Sequence, residues 1–298
     1  MSQPESWTVG RLLEWTADYL KNRGADSPRL DAEVLLAEAL QCERIELYTA
    51  FSDVVDEEPR GVFRQLVKRR ADGEPVAHLV GRREFYSLSF EVTPDVLIPR
   101  PETEFLVITL LDLAAKRKNA ADATAPLQIC DVGTGSGIIA IATAVHLPTA
   151  EFTAVDICPK ALDVARGNAR EHGVESRIEF VQSDLLEAVP SDRRFDFVVS
   201  NPPYISQAEM TELAPEVRDR EPHGALLGGE RGTEVIERLL PQAVERLLPS
   251  GHLLMEISPT IHDATLELIA ATDGLEPGET VKDLARLPRV AQAVKNSV

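Results

Sequence analysis

Leu127-Gln128-Ile129-Cys130-Asp131-Val132-Gly133-Thr134-Gly135-Ser136-Gly137 runs from a short apolar segment into a glycine-rich turn, and a helical pattern opens directly after it at Ile138. Strand, tight turn and helix in that order are the start of an α/β unit. The glycines allow a sharp reversal and close approach of a ligand to the backbone. Downstream the pattern repeats. Strands are predicted over Glu151–Val155, Ile178–Gln182, Phe195–Ser200 and His252–Ile257, with helices between them over Ile138–His146, Pro159–Gly173 and Thr233–Leu248. Such alternation implies a parallel, doubly wound sheet covered by helices on both faces. Leu275–Lys282 and Arg289–Lys295 read as two further strands, which brings an antiparallel hairpin to the sheet edge and makes it seven-stranded and mostly parallel.

Upstream of the turn the period changes. Thr8 can cap a helix with Leu12, Leu13, Trp15 and Leu20 at helical spacing, and Ser27-Pro28 opens a second with Val34, Leu35, Leu36 and Leu40 inward. A third runs from about Pro59 to Arg70 with Val62, Phe63, Leu66 and Val67 inward. Short amphipathic helices joined by short loops make a small bundle. Its Lys68-Arg69-Arg70 cluster ends a helix, where cations complement the macrodipole. Glu84 to Val96 reads as a β-hairpin, and Pro101 opens a helix with Glu102 and Glu104 in its first turn. Ala120 to Pro126 is a small-residue linker. The division expected is a helical domain over 1–83, a hairpin linker over 84–100 and an α/β domain over 101–298.

With 298 residues and 44% hydrophobic content, the chain is long enough for a large core and a smaller one. Its net charge of −18 argues against general binding to nucleic acid or anionic membranes, which are themselves polyanions. No apolar run approaches the ~18 residues that span a bilayer. Met1 to Ser6 lacks a signal pattern, and Cys42, Cys130 and Cys158 lack metal-ligand spacing. A cytoplasmic protein with reduced thiols and no metal is expected.

In an open α/β sheet, ligands bind at the C-terminal edges of the strands, so the residues at those edges decide the chemistry. The glycine turn alone suits NAD, a phosphate or S-adenosylmethionine. A dinucleotide fingerprint needs glycine where Ile138 stands, and a phosphate loop needs a Gly-Lys-Ser/Thr ending. Asp131 heads the turn instead; a carboxylate there repels pyrophosphate and suits an ammonium and a sulfonium. Asp156 ends the second strand and can accept both ribose hydroxyls. Asp184 ends the third and can accept from an adenine amino group, with Leu185 covering the ring. Gly133, Thr134, Gly135, Ser136 and Gly137 complete the expected cofactor cradle. The fourth strand runs into Asn201-Pro202-Pro203-Tyr204, where two prolines stop the ladder and leave a stiff turn. Read alone, this is also an ordinary turn, since Asn-Pro often starts one. Beside a cofactor it offers the Asn201 amide oxygen and the Pro202 carbonyl as acceptors, and Tyr204 as a flat face. That set suits a planar group carrying an NH2.

Together these four strand ends resemble a class I S-adenosylmethionine-dependent methyltransferase, with a Rossmann-like sheet, acting on a planar amino group. Over nearly its full length the chain resembles the HemK-type protein-(glutamine-N5) methyltransferases, which modify peptide chain release factors. The resemblance rests on Glu74-Pro75-Val76-Ala77-His78, Gly81, Glu84-Phe85-Tyr86, Ile98-Pro99-Arg100-Pro101-Glu102-Thr103-Glu104, the Gly133 turn, Asn201-Pro202-Pro203-Tyr204 and Glu221-Pro222. Adenine methyltransferases share only the glycine turn and the Asn-Pro-Pro-Tyr turn. His78 departs from the pattern, where a Tyr is expected. The resemblance implies S-adenosyl-L-methionine as cofactor and a release factor as protein substrate, with the target glutamine in a Gly-Gly-Gln loop. It implies catalytic and substrate-binding roles for Asn201, Pro202, Pro203 and Tyr204, and a helical domain that helps hold the substrate. A monomer without direct nucleic-acid contact is expected. The competing reading is an amino-group methyltransferase acting on adenine in DNA or RNA, and a third is a non-catalytic cofactor-binding module.

Overall fold

The computed structural model describes residues 6–120 and 125–297; the expected linker at 120–126 falls mostly outside them. The chain forms two units, one of residues 1–81 with 215–220 and one of 82–214 with 221–298.

The first unit is the helical one. Thr8 caps α1 (Val9–Lys21), accepting from the Arg11 N–H at 3.3 Å. α2 (Pro28–Leu40) starts on the expected proline, and α3 (Glu46–Thr49), α4 (Glu57–Ala71) and α5 (Val76–Val80) follow. Leu12, Leu13, Leu20, Leu35, Leu36, Phe63, Leu66 and Val67 share one buried cluster. Trp15 and Val62, expected inward, are 53% and 47% exposed. Each sits one position off the buried stripe of its helix, and a 3.6-residue repeat turns it outward. Two of the cations that end α4 are paired: Arg69 with Glu74, and Arg70 with Asp31 at 2.7 Å and with Glu216 of the short helix described below.

The second unit opens with an antiparallel hairpin of β1 (Arg82–Phe85) and β2 (Leu88–Glu91). It differs from the expected linker over 84–100, because Phe85 and Phe90 are fully buried in the α/β core and contribute to it. A 3-10 turn over Pro101–Thr103 leads into α6 (Glu104–Ala120). Strand and helix then alternate through β3 (Gln128–Val132), α7 (Ile138–His146), β4 (Glu151–Asp156), α8 (Pro159–Glu171), β5 (Ile178–Gln182) and β6 (Phe195–Ser200). A small parallel pair, β7 (Ile205–Ser206) and β8 (Leu227–Gly229), brackets α9 (Pro215–Arg218), which belongs to the first unit. The chain ends through α10 (Glu234–Arg246), β9 (Leu247–Glu256), α11 (His262–Ala271), β10 (Leu275–Pro277), β11 (Val281–Lys282) and β12 (Pro288–Lys295).

The central sheet has the order β10-β12-β9-β6-β3-β4-β5, with β11 an eighth strand paired to β12. Strands β9, β6, β3, β4 and β5 are parallel, and β12 runs antiparallel to β9. The predicted strand Leu275–Lys282 is broken into β10 and β11, separated by Gly278-Glu279-Thr280. Alternate residues feed two cores, as a sheet covered on both faces requires. Ile129, Phe197 and Leu254 face α6 and α7, while Cys130, Val198 and Leu253 face α10. The chain leaves β3 toward β4 on one side and returns to β6 on the other. This order reversal opens a crevice at the strand ends.

Candidate functional site

At that crevice lies a cavity of about 440 Å³, within the usual range for small-molecule sites. The ends of β3, β4, β5 and β6 bring Gly133, Thr134, Gly135, Ser136, Asp156, Asp184, Leu185 and Asn201 to its wall. Residues far apart in sequence meet there because parallel strands all present their C-termini to one edge. Gly133, Gly135 and Gly137 all have positive φ, the conformation the turn requires.

Asp131 does not line the cavity; its side chain is fully buried beneath the turn. Its Oδ2 accepts from the Thr134 hydroxyl at 2.7 Å and the Ala140 N–H at 3.2 Å, so the carboxyl staples turn to helix. Its Oδ1 has no hydrogen-bond partner among the described residues. Burial pushes its pKa up to about 7, against the pull of those two donors. The expectation that Asp131 meets a ligand ammonium therefore gives way to a structural role beneath the loop.

Asp156 is placed differently. It lines the cavity, while its Oδ2 accepts from the Gly135 N–H and its Oδ1 from the Cys158 N–H, each at 2.9 Å. A carboxylate oxygen can accept twice, so both retain capacity for ribose hydroxyls. Burial raises its pKa, and the backbone donors oppose the shift. Asp184 carries a partner missed in the sequence: Arg238 of α10 donates to its Oδ2 at 2.6 Å and also lines the cavity. Leu185 beside it adopts φ 51. The glycine turn is further tied down by Asn168 of α8. Its Nδ2 donates to the Ser136 carbonyl at 2.8 Å and the Glu91 carbonyl at 3.1 Å, and its Oδ1 accepts from the Glu91 N–H at 2.7 Å.

Asn201 follows β6 on the same wall. Its Nδ2 donates to the Thr103 hydroxyl at 3.2 Å, which leaves the amide oxygen for a ligand. Pro203 lines the cavity, whereas Pro202 and Tyr204 do not. The Tyr204 hydroxyl donates to Glu256 Oε1 at 3.2 Å and its ring packs against the α10-side core. Burial beside that carboxyl holds its pKa well above the phenol value. Tyr204 thus anchors the turn from behind, in place of the flat ligand-facing surface expected. The turn is also held at backbone level, with the Ile205 N–H donating to the Leu226 carbonyl at 2.9 Å. A Cβ on Gly228 would lie 2.5 Å from the Pro203 carbonyl, and one on Gly232 2.5 Å from that of Tyr204. Glu221 is buried and accepts from the Ile98 N–H at 3.0 Å and from Arg100, fixing the Pro-Arg-Pro segment that leads to Thr103.

Comparison with known proteins agrees with this geometry. The family described as PrmC N-terminal domain matches residues 11–81, and the methyltransferase small domain matches 113–217. A release factor glutamine methyltransferase from Rhodopirellula baltica is 49% identical over 99% of this chain and 98% of its own. One from Koribacter versatilis is 40% identical over 95% and 97%. Among solved structures, a methyltransferase from Pyrococcus furiosus aligns with a TM-score of 0.52 at 17% identity, covering 79% of this chain and 98% of its own, a likeness of fold.

Proposed function

Since the chain belongs to the release factor glutamine methyltransferase family, we propose that it methylates the side-chain amide nitrogen of the glutamine in the Gly-Gly-Gln loop of peptide chain release factors. The methyl donor is S-adenosylmethionine, which supplies a methyl group on a positively charged sulfur. The cavity suits it: Asp156 keeps lone pairs for a vicinal diol, the open glycine turn admits close approach, and Asp184 and Leu185 lie where an adenine would be bounded.

The observation that carries the reading is Asn201, whose nitrogen is committed to Thr103 and whose oxygen is available on the wall beside the cofactor site. An amide nitrogen is a poor nucleophile because its lone pair is delocalised. Hydrogen bonds from both its N–H groups, one to Asn201 Oδ1 and one to the Pro202 carbonyl, favour a pyramidal nitrogen and free that lone pair. The acceptors sit on a proline-stiffened turn, so little reorganisation is needed when the charge develops. No strong base is required, since the methylated nitrogen can lose its proton to solvent. The helical unit, residues 1–81 with 215–220, holds the protein substrate, and the chain acts as a monomer in the cytoplasm without direct nucleic-acid contact. Among the described residues no helix is long and apolar enough to cross a membrane.

Labelled cofactor incubated separately with release factor, its Gln→Ala variant in the Gly-Gly-Gln loop, DNA and RNA tests the reading. Label is expected in the release factor alone, one methyl per chain, and absent from the variant. Label in adenine would establish the nucleobase alternative instead. Asn201→Ala is expected to slow transfer about a hundredfold or more, the usual effect of losing one preorganised acceptor or donor at a reacting centre, with cofactor affinity retained.

A further inference from the structure

The helical unit carries a groove that no step above uses. We propose that this groove, between α1 and α4, is a docking site for an acidic amphipathic helix of the protein substrate, outside the segment that presents the glutamine. The proposal rests on the reading that the helical unit holds the protein substrate.

The sequence builds the two walls at one spacing. Residues four apart share a helix face. On α1 this row is Arg11, Trp15 and Tyr19, continued by Arg23 just past the helix end. On α4 the row is Arg60, Arg64 and Lys68. Trp15, Tyr19 and the α4 row line a cavity of about 310 Å³, whose remaining apolar wall is Trp7, Leu12, Phe63 and Val67. Both tryptophans of the chain are here, and Trp15 is 53% exposed. Leaving so large an apolar side chain in water forgoes the gain of burying it. Trp, Tyr and Arg are also the residues that most often anchor protein interfaces.

The charge pattern selects the occupant. No carboxylate is among the described residues that line the groove. Of the three cations on the α4 wall, Arg60 and Arg64 share one carboxylate, Glu57, and Lys68 forms no ion pair among the described residues. This wall is therefore positive on a chain whose net charge is −18. It complements carboxylates along one flank of a ligand. An apolar groove takes the apolar face of an amphipathic helix. Single-stranded nucleic acid also seeks cations and aromatic rings, but it stacks its bases on open ring faces. Here Trp15 stacks on Tyr19, with centroids 5.2 Å and planes 9° apart, and Trp7 meets Trp15 edge-on at 6.4 Å. Arg11 covers Trp7 at 4.6 Å and Arg23 covers Tyr19 at 5.3 Å. The rings spend their faces on one another and on the chain's own guanidinium groups, which favours side-chain packing over base stacking.

The test compares steady-state methylation of full-length release factor by the wild type, Trp15→Ala, the double variant Arg64→Glu/Lys68→Glu, and Ile45→Ala, an exposed apolar position of the same unit outside the groove. KM for release factor is expected to rise about tenfold or more in the two groove variants, the usual scale for an interface anchor. The kcat and the calorimetric cofactor Kd should stay within about twofold, and Ile45→Ala should match the wild type. Because both tryptophans line the groove, their emission reports its occupancy. A tryptophan-free helical peptide with leucines on one face and glutamates beside them should shift that emission to the blue and compete with release factor. Its lysine counterpart and a single-stranded RNA should do neither. An unmoved KM in both groove variants, an equal rise in Ile45→Ala, no shift with the glutamate peptide, or an equal shift with the lysine peptide or the RNA would each overturn the proposal. A wild type that fails to methylate release factor removes the substrate reading and the docking site with it, whereas normal methylation with an unmoved KM in the variants removes the docking site alone.

Discussion

Asp131, Asp156 and Asp184 occupy equivalent strand ends, yet their surroundings give them different work. Asp131 is an acceptor for the loop itself, and Asp156 is an acceptor shared between loop and cavity. Asp131→Asn keeps an oxygen for Thr134 and Ala140, so calorimetric cofactor affinity is expected to stay within about threefold, while Asp131→Ala should lose tenfold or more as the staple goes. Equal losses in both would show that the charge itself is needed. Asp156→Ala should remove charge-assisted bonds worth roughly 1.5–3 kcal/mol, a tenfold or greater loss. Glu256, buried at the end of β9, bears on stability. Its folded-state pKa of about 7 lies above the carboxylate value of 4.5, so the folded state binds more protons between those limits. The stabilisation is full below the unfolded pKa and is lost as pH rises through about 7, on the order of 1–3 kcal/mol. Denaturant titrations at pH 5 and pH 8 should show Glu256→Gln gaining on the wild type at pH 8. A gap between the two proteins that is the same at both pH values would contradict the buried-carboxyl account.

At the scale of elements, the Asn201-to-Tyr204 turn is a backbone structure clamped by backbone. The pairing of β7 with β8 lays Gly228 and Gly232 against the carbonyls of Pro203 and Tyr204, too close for any side chain. Gly232 also has φ 85, which a residue with a Cβ rarely adopts. Gly232→Ala must displace the Tyr204 carbonyl and with it the turn. We expect methyl transfer to fall at least tenfold, with cofactor affinity within about twofold because the β3, β4 and β5 ends are untouched; strain of this kind typically costs 1–3 kcal/mol, about a tenfold effect or more. An unchanged rate in this variant would mean that the turn does not depend on its clamp.

On the scale of the whole molecule, the apolar residues fall into one cluster within the helical unit and two across the sheet of the other. Separate cores make each unit able to persist alone. A chain beginning at Arg82 should therefore retain cofactor affinity while losing most of its activity on a folded release factor. Residues 215–220 group with the helical unit, through Arg70 with Glu216 and through Arg220 with the Asp72 carbonyl. That segment loses its partners in the shortened chain. If the shortened enzyme methylated the full-length factor as fast as the wild type, the helical unit would have another task.

The sheet, its parallel order and the strand-end positions of Asp131, Asp156, Asp184 and Asn201 were legible in the chain, because periodicity and glycine or proline punctuation are local signals. Rotational detail was less so: Trp15 and Ile108 carry apolar side chains yet stand exposed, since an apolar residue beside a buried stripe does not reveal which way it turns. Glu256 obeys the same rule as the other strand-end residues, a polar group where a buried apolar strand stops, and extending that rule to β9 locates it. Its pairing with Tyr204, Thr103 with Asn201, Arg238 with Asp184, Asn168 beneath the glycine turn and the glycine clamp on the Asn-Pro-Pro-Tyr turn required the tertiary structure. Each joins residues far apart in the chain, and hydrogen-bond partnership depends on distances of about 3 Å that only the packed sheet brings about. Composition and spacing thus determined where a ligand would sit. Packing decided which carboxylates line the cavity, which are spent on the scaffold, and which end of the Asn201 amide is tied to Thr103.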